Sequence, residues 1–139
     1  MMKIVFMKKY SLIFLLLVVA ALASCSGTKT VKVTLTDYKI DSSVTKFKAG
    51  VPYHFVISNK SESNHEFMIM PPVDPDMDMS MEQMDEMALA MVEEDELEPG
   101  TSMTLDITFT DPAPAGTLEF ACHVAQHYQT GMVLPISVE

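Results

Sequence analysis

Leu118-Glu-Phe-Ala-Cys122-His-Val-Ala-Gln-His127-Tyr-Gln-Thr-Gly-Met132 is the stretch on which the reading of this chain turns. Leu118 to Cys122 has the apolar content of a strand, and Met132 to Val138 reads as another, the last of the chain. A strand that ends at Cys122 puts its sulfur at the rim of a sheet, and the loop after it must return to start the next strand. Two spacers of four residues let Cys122, His127 and Met132 converge from that one loop on a single point.

Strand patterns continue outward from this segment. Val31, Val33 and Leu35 alternate with Lys32, Thr34 and Thr36, the period of a strand with one buried face. Ala49-Gly50-Val51-Pro52 reads as a turn and Tyr53 to Ser58 as the next strand. Asn59 to Asn64 is a polar loop, after which His65 opens a strand through Phe67 and Ile69. Pro71-Pro72 ends it, because proline brings no amide hydrogen to a ladder. Past Pro99-Gly100 the alternation Met103, Leu105, Ile107, Phe109 gives one more strand, and Pro112 to Gly116 turns the chain. Between Asp74 and Glu98 the character changes: eleven acids, six Met and no Lys. Ser80 with Gln83 makes a capping box, so the spacing predicts a helix from about Met81 to Glu93 with the stripe Met84, Met87, Ala88, Met91, Val92. The whole argues for an all-β fold, an antiparallel sandwich or Greek-key barrel, with a short helical insertion around residues 81–93.

The chain opens with Lys3, Lys8 and Lys9, an apolar run from Leu12 to Ala23, and then Leu22-Ala-Ser-Cys25. Positive start, short apolar run and small residues before a cut are the marks of an export signal, and the run is short for a membrane span. Leu22 to Cys25 resembles the lipobox of bacterial lipoproteins. That resemblance implies a signal peptide over 1–24, a lipidated Cys25, a tether over 25–30 and a domain over 31–139, held at the cell envelope on the periplasmic or cell-surface side. Ser26 after the Cys resembles outer-membrane routing in double-membraned bacteria. Ser26 to Thr30 would reach roughly 16 Å when extended at about 3.3 Å per residue.

Export also sets the charge and the cysteine count. Loss of the leader leaves six Lys against 19 acids, with no Arg. Such a surface repels nucleic acid and anionic headgroups and draws cations or basic proteins, so nucleic acid is excluded as a partner. Of two Cys, one carries lipid on this reading; Cys122 then has no disulfide partner in an oxidising compartment and must be bound or buried.

A soft thiolate, imidazoles and a weak thioether are the donors of a copper that cycles between two oxidation states. His127 supplies one imidazole. The second must come from another strand, and His65 in Asn64-His65-Glu66-Phe67 is the candidate. Zinc is accepted by the same donors. A catalytic Cys–His pair would need an oxyanion-hole segment or a third orienting residue, and neither is evident.

With these motifs the chain resembles the cupredoxins, and within them the small exported proteins whose loop reads Cys-x4-His-Tyr-x-x-Gly-Met. Cys122-His-Val-Ala-Gln-His127-Tyr128-Gln-Thr-Gly131-Met132 matches that loop, Asn64-His65-Glu66-Phe67 the first-ligand segment, and Pro99-Gly100-Thr101 with its strand matches too. The resemblance covers Val31 to the end. It implies a Greek-key sandwich and one mononuclear type 1 copper held by His65, Cys122, His127 and an axial Met132. It implies also an electron-transfer role, with no enzyme activity and no small-molecule substrate. Members often carry Pro and Gly between Cys and His, where this chain has Val124-Ala125-Gln126. His123 is a second imidazole beside Cys122, and neighbours in a strand or loop point apart, so joint ligation by the two is strained.

Three further features have bland and sharp readings. His54, in an apolar strand, reads as a satisfied core or rim residue. Met68 and Met70 read as packing. Met77, Met79 and Met81, spaced by two, suit a soft secondary site for cuprous ion, whereas the helical methionines read as packing against the sandwich. Two functions therefore stand: a membrane-tethered carrier passing single electrons to a redox protein with a basic face, and a copper-handling protein that gathers cuprous ion on its Met-rich segment.

Overall fold

In the computed structural model, residues 27–139 are described, so the leader and Cys25 lie outside the described residues. Nine strands follow in order: β1 (Lys29–Thr36), β2 (Lys39–Ser42), β3 (Lys46–Phe47), β4 (Pro52–Asn59), β5 (Phe67–Met70), β6 (Ala90–Val92), β7 (Ser102–Thr108), β8 (Ala113–Ala121) and β9 (Val133–Val138). One short helix, α1 (Met81–Met87), lies between β5 and β6. β1 thus already takes in Lys29 and Thr30. The strands form two facing sheets, β2-β1-β4-β7 and β3-β9-β8-β5-β6.

The all-β sandwich expected from the alternation is present, but its sheets are mixed rather than antiparallel. β1 runs parallel to β4, with Val31 opposite Phe55, and β3 runs parallel to β9, with Phe47 opposite Val138. The chain leaves the first sheet after β2, contributes β3 to the second, and re-enters beside β1 from the end at which β1 began. Parallel pairing needs such a crossover.

Alternation places one side of each sheet inside. Val31, Val33 and Leu35 of β1 and Tyr53, Phe55 and Ile57 of β4 are buried, facing Phe67, Ile69, Phe120 and Ile136 of the other sheet in one core. Phe55 sits at its centre, 5.8 Å from Phe47 in a stacked pair and 5.8 Å from Phe120 edge-on. Phe55→Ala is expected to cost about 3–5 kcal/mol, because the surrounding strands close only partly over the void; a urea midpoint unchanged from the parent would contradict this packing.

β5 is buried on both faces. Phe67 and Ile69 enter the main core, while Met68 and Met70 join Ala121 in a second cluster packed by Met84, Ala88, Met91 and Tyr128. The acidic, Met-rich segment is therefore the outer cover of the second sheet, which is the packing role expected for Met68 and Met70.

The helix is shorter than its stripe suggested. Its start agrees: Ser80 accepts from Gln83 N–H and the Gln83 side chain accepts from Ser80 N–H, a complete capping box. At Ala88 the backbone turns extended (φ −69, ψ 131), Leu89 N–H donates to Ile69 at 2.7 Å, and residues 90–92 become β6 on the edge of β5. The open edge of β5 offers unpaired backbone groups, and pairing them outweighs further turns of a helix with no buried residue. His54 lies on the outer face of β4, its Nδ1 2.7 Å from Asp106 Oδ1, a satisfied rim residue.

Candidate metal centre

β8 ends at Ala121, so Cys122 is the first residue beyond the strand and its sulfur lies at one end of the sandwich, fully buried. The loop from Cys122 to Met132 closes on itself through the backbone. Cys122 N–H donates to Met132 O at 3.2 Å, and Met132 N–H donates to His127 O at 3.0 Å. Thr130 Oγ1 also donates to His127 O, at 2.7 Å. Without Pro or Gly in the Cys-to-His spacer, the turn is made by Gln126 in the left-handed region (φ 69), followed by His127 N–H donating to Val124 O at 2.8 Å. Gly131 takes φ 98 ahead of Met132, a conformation that disfavours a side chain. The spacer is thus held by hydrogen bonds of its own backbone.

His65 comes from the opposite side, in the loop that leads into β5. Its backbone N–H donates to Leu97 O at 3.3 Å. Its ring Nε2 is 2.7 Å from Ser61 Oγ, and Ser61 Oγ donates to Asn59 Oδ1 at 2.8 Å. Asn59, fully buried at the end of β4, donates through Nδ2 to Ser63 O and Leu97 O, both at 2.8 Å. With Nε2 carrying the proton toward Ser61, the His65 Nδ1 lone pair is left free and aimed inward, the arrangement that outer hydrogen bonds impose on ligating imidazoles.

Three donor atoms meet there. His65 Nδ1 and His127 Nδ1 are 3.2 Å apart, and Cys122 Sγ stands 3.8 Å from the first and 3.4 Å from the second. These atoms lie within 4.8 Å of one another and all three residues are buried. A point equidistant from them is about 2.0 Å from each, the length of metal–imidazole bonds and close to that of metal–thiolate bonds. Met132 is buried at zero exposure beside this cluster, tied by its backbone to both Cys122 and His127. Of the residues singled out in sequence, His65, Cys122 and His127 are brought together directly and Met132 closes the loop around them. His123 points away, stacked on Tyr128 with ring centroids 4.3 Å apart. Met77 and Met81 are exposed on the acidic segment.

The electrostatics agree with a metal in place of a proton. Burial pushes the Cys122 thiol up to about 11, so a thiolate forms here when a cation displaces its proton. Burial, then the neighbouring His127, hold the His65 imidazole below its ordinary value, while Asp37 opposes them; the ring is neutral and able to coordinate. A thiolate, two imidazoles and a thioether form the donor set of a single type 1 copper centre.

Several supporting residues went unread in the sequence. Glu66 is 3% exposed; its backbone N–H points at Cys122 Sγ at 3.5 Å and its carboxylate accepts the His123 N–H. A charged residue between the candidate His65 and the apolar run Phe67 to Met70 was the available signal. Tyr38, with φ 64 at the β1–β2 turn, lays its exposed ring edge-on to His127 at 5.3 Å. Tyr128 donates to Glu119 Oε1 at 2.6 Å and accepts from Val73 N–H at 3.4 Å, pinning the loop to the second sheet.

The folded chain is similar to an auracyanin from the photosynthetic bacterium Roseiflexus castenholzii, with a TM-score of 0.60 and 19% identity over 81% of this chain and 99% of that one. Auracyanin A from Chloroflexus aurantiacus, a "blue" copper protein, gives a TM-score of 0.57 at 14% identity over 81% of this chain and 100% of that one. A multi-copper oxidase from Pediococcus acidilactici gives 0.56 at 15% identity, with 85% of this chain matched to 28% of the oxidase. At such identities these likenesses speak for the fold. No curated protein matches the chain. A family model described as a cupredoxin-like domain matches residues 9–134, and by that match, together with the two-sheet fold and its loop of Cys, His and Met, the chain belongs to the cupredoxin-like family.

Proposed function

We propose that this protein is a blue-copper electron carrier in which His65 and His127 would hold copper through Nδ1, Cys122 through Sγ, and Met132 would add a weak thioether donor. The observation that carries the reading is the buried meeting of two imidazole nitrogens and one thiol within 4.8 Å, contributed by loops at one end of a rigid sandwich. Bound copper supplies one-electron chemistry by alternating between its cupric and cuprous states. The protein's part is to hold the donors still. Ser61 and Asn59 fix the His65 ring, the loop hydrogen bonds fix His127 and Met132, and the Glu66 N–H directed at Cys122 Sγ stabilises charge on sulfur. Because the donors are fixed by the fold, little rearrangement accompanies a change of charge, which is what an electron relay needs.

The donors at the centre are all buried, and the role we assign is transfer without catalysis. The exposed Tyr38 ring, edge-on to His127, supports this end of the sandwich as the one a partner would approach, and the acidic surface favours a redox protein with a basic face. Cys25 as a lipid anchor would hold the carrier at the envelope membrane. Among the described residues no helix is long and apolar enough to cross a membrane.

The test is an optical and paramagnetic-resonance spectrum of the mature protein loaded with cupric ion. An intense visible band from thiolate-to-copper charge transfer is expected; a colourless copper-loaded protein rejects the assignment.

A further inference from the structure

Between the ligand loop and the acidic segment lies a cavity of about 140 Å³, bounded on the loop side by His123, Ala125, Gln126 and Tyr128. Its wall includes Met77, Met79 and Met84 from the acidic segment and His123 from the ligand loop. Three thioethers and one imidazole on one small cavity are all soft or borderline donors. Met81, which the spacing of two had grouped with Met77 and Met79, begins α1 and is 43% exposed, outside this wall.

His123 supplies an independent observation. Its side chain is only 9% exposed, and Nε2 has no hydrogen-bond partner among the described residues. A buried imidazole nitrogen without a partner loses its bonds to water and gains none, and such groups in native proteins call for an explanation. The ring is held by stacking on Tyr128, and its backbone N–H is held by Glu66. Both constraints fix a nitrogen that then bonds to nothing.

We propose that Met77, Met79, Met84 and His123 form a second metal site, selective for cuprous ion, at a cavity that none of His65, Cys122, His127 and Met132 lines. Thioethers favour a soft monovalent ion over cupric ion or zinc. Asp74, also on the cavity wall, and the surrounding acids raise the local cation concentration without being ligands. Met77 and Met79 stand on a bent segment in which Met77 N–H donates to Asp74 O and Met79 N–H donates to Met77 O, both at 3.0 Å, while His123 is held by its stacking and its backbone bond. The site goes beyond the electron-transfer reading and does not depend on it.

The experiment titrates the reduced, copper-loaded protein anaerobically with cuprous ion against a chromophoric cuprous chelator. One further equivalent is expected to bind, and its affinity should fall at least about tenfold in Met77→Leu/Met79→Leu and in His123→Phe, with Met81→Leu unchanged. After reoxidation the visible band should persist in these variants, which verifies their fold. A second measurement needs no variant: the His123 ring protons of the reduced parent should shift on the added equivalent. Absence of a second equivalent, equal binding by all variants, or His123 resonances that do not move would each overturn the site. Loss of the visible band in the parent would instead count against the blue-copper assignment alone.

Discussion

Loaded with cupric ion, the Cys122→Ser variant is expected to be devoid of the intense visible band of the parent and to release copper to a competing chelator far more readily. The hydroxyl of Ser has nearly the shape of the thiol, so the fully buried position is not overfilled and the loop hydrogen bond from residue 122 N–H to Met132 O survives. What is lost is the soft anionic donor, the only one in the set that brings charge transfer at visible energies. The apo variant should also unfold within about 1–2 kcal/mol of the parent, since one sulfur-to-oxygen change removes little buried area. A coloured variant would mean that the chromophore lies elsewhere. The companion readout is protons: with the parent thiol held up at about 11, loading at neutral pH should release one proton from Cys122, and the Ser variant should release none.

In the metal-free protein, replacing Glu66 by Gln is expected to flatten the pH dependence of stability. Glu66 is buried, and burial first, with the carboxylates of Asp85, Glu94 and Glu93 adding to it, raises its carboxyl from the ordinary 4.5 to about 7, against the His123 N–H bond that favours the charged form. The folded state therefore keeps a proton that the unfolded chain gives up. Below about 4.5 both states hold it and stability is full; as pH rises toward 7 the unfolded chain is favoured, and above 7 the loss is complete. At about 1.4 kcal/mol per pH unit, a shift of this size amounts to roughly 3 kcal/mol. The lowered His65 and His123 act oppositely in the acid range, because unfolding lets them take up protons. For that reason the decisive quantity is the difference between parent and Glu66→Gln, whose amide oxygen still accepts the His123 N–H. That difference, from urea titrations at pH 4.5 to 8, should move in favour of the variant as pH rises. A difference independent of pH would show that Glu66 ionises normally.

Much of the fold was legible because half-buried strands write their period into the chain. Val31, Val33 and Leu35, the alternation in β4, and Met103 to Phe109 each appear where expected. Elements governed by distant partners were not legible. β3 is two residues that exist by pairing with β9, and β6 is a stretch of helical composition captured by the edge of β5. The parallel pairing of β1 with β4 depends on a crossover that no local pattern announces. At the centre, Cys122, His127 and Met132 were legible from regular spacing in one loop, and His65 from its motif. Ser61, Asn59 and Glu66 were not, since their roles come from what stands opposite them after folding.

By itself, the sequence determined that this is a strand-built, acidic domain with a lone thiol in a loop of soft donors. Those properties follow from side-chain chemistry and from periodicity along one segment, which need no third dimension. Only the tertiary structure decided which nitrogen of each imidazole faces the sulfur, that His123 stacks on Tyr128 with Nε2 unpartnered among the described residues, and that Met84 rather than Met81 joins Met77 and Met79. Direction and proximity between residues remote in the chain are set by the packing of the two sheets, and packing is a property of the whole core rather than of any stretch within it.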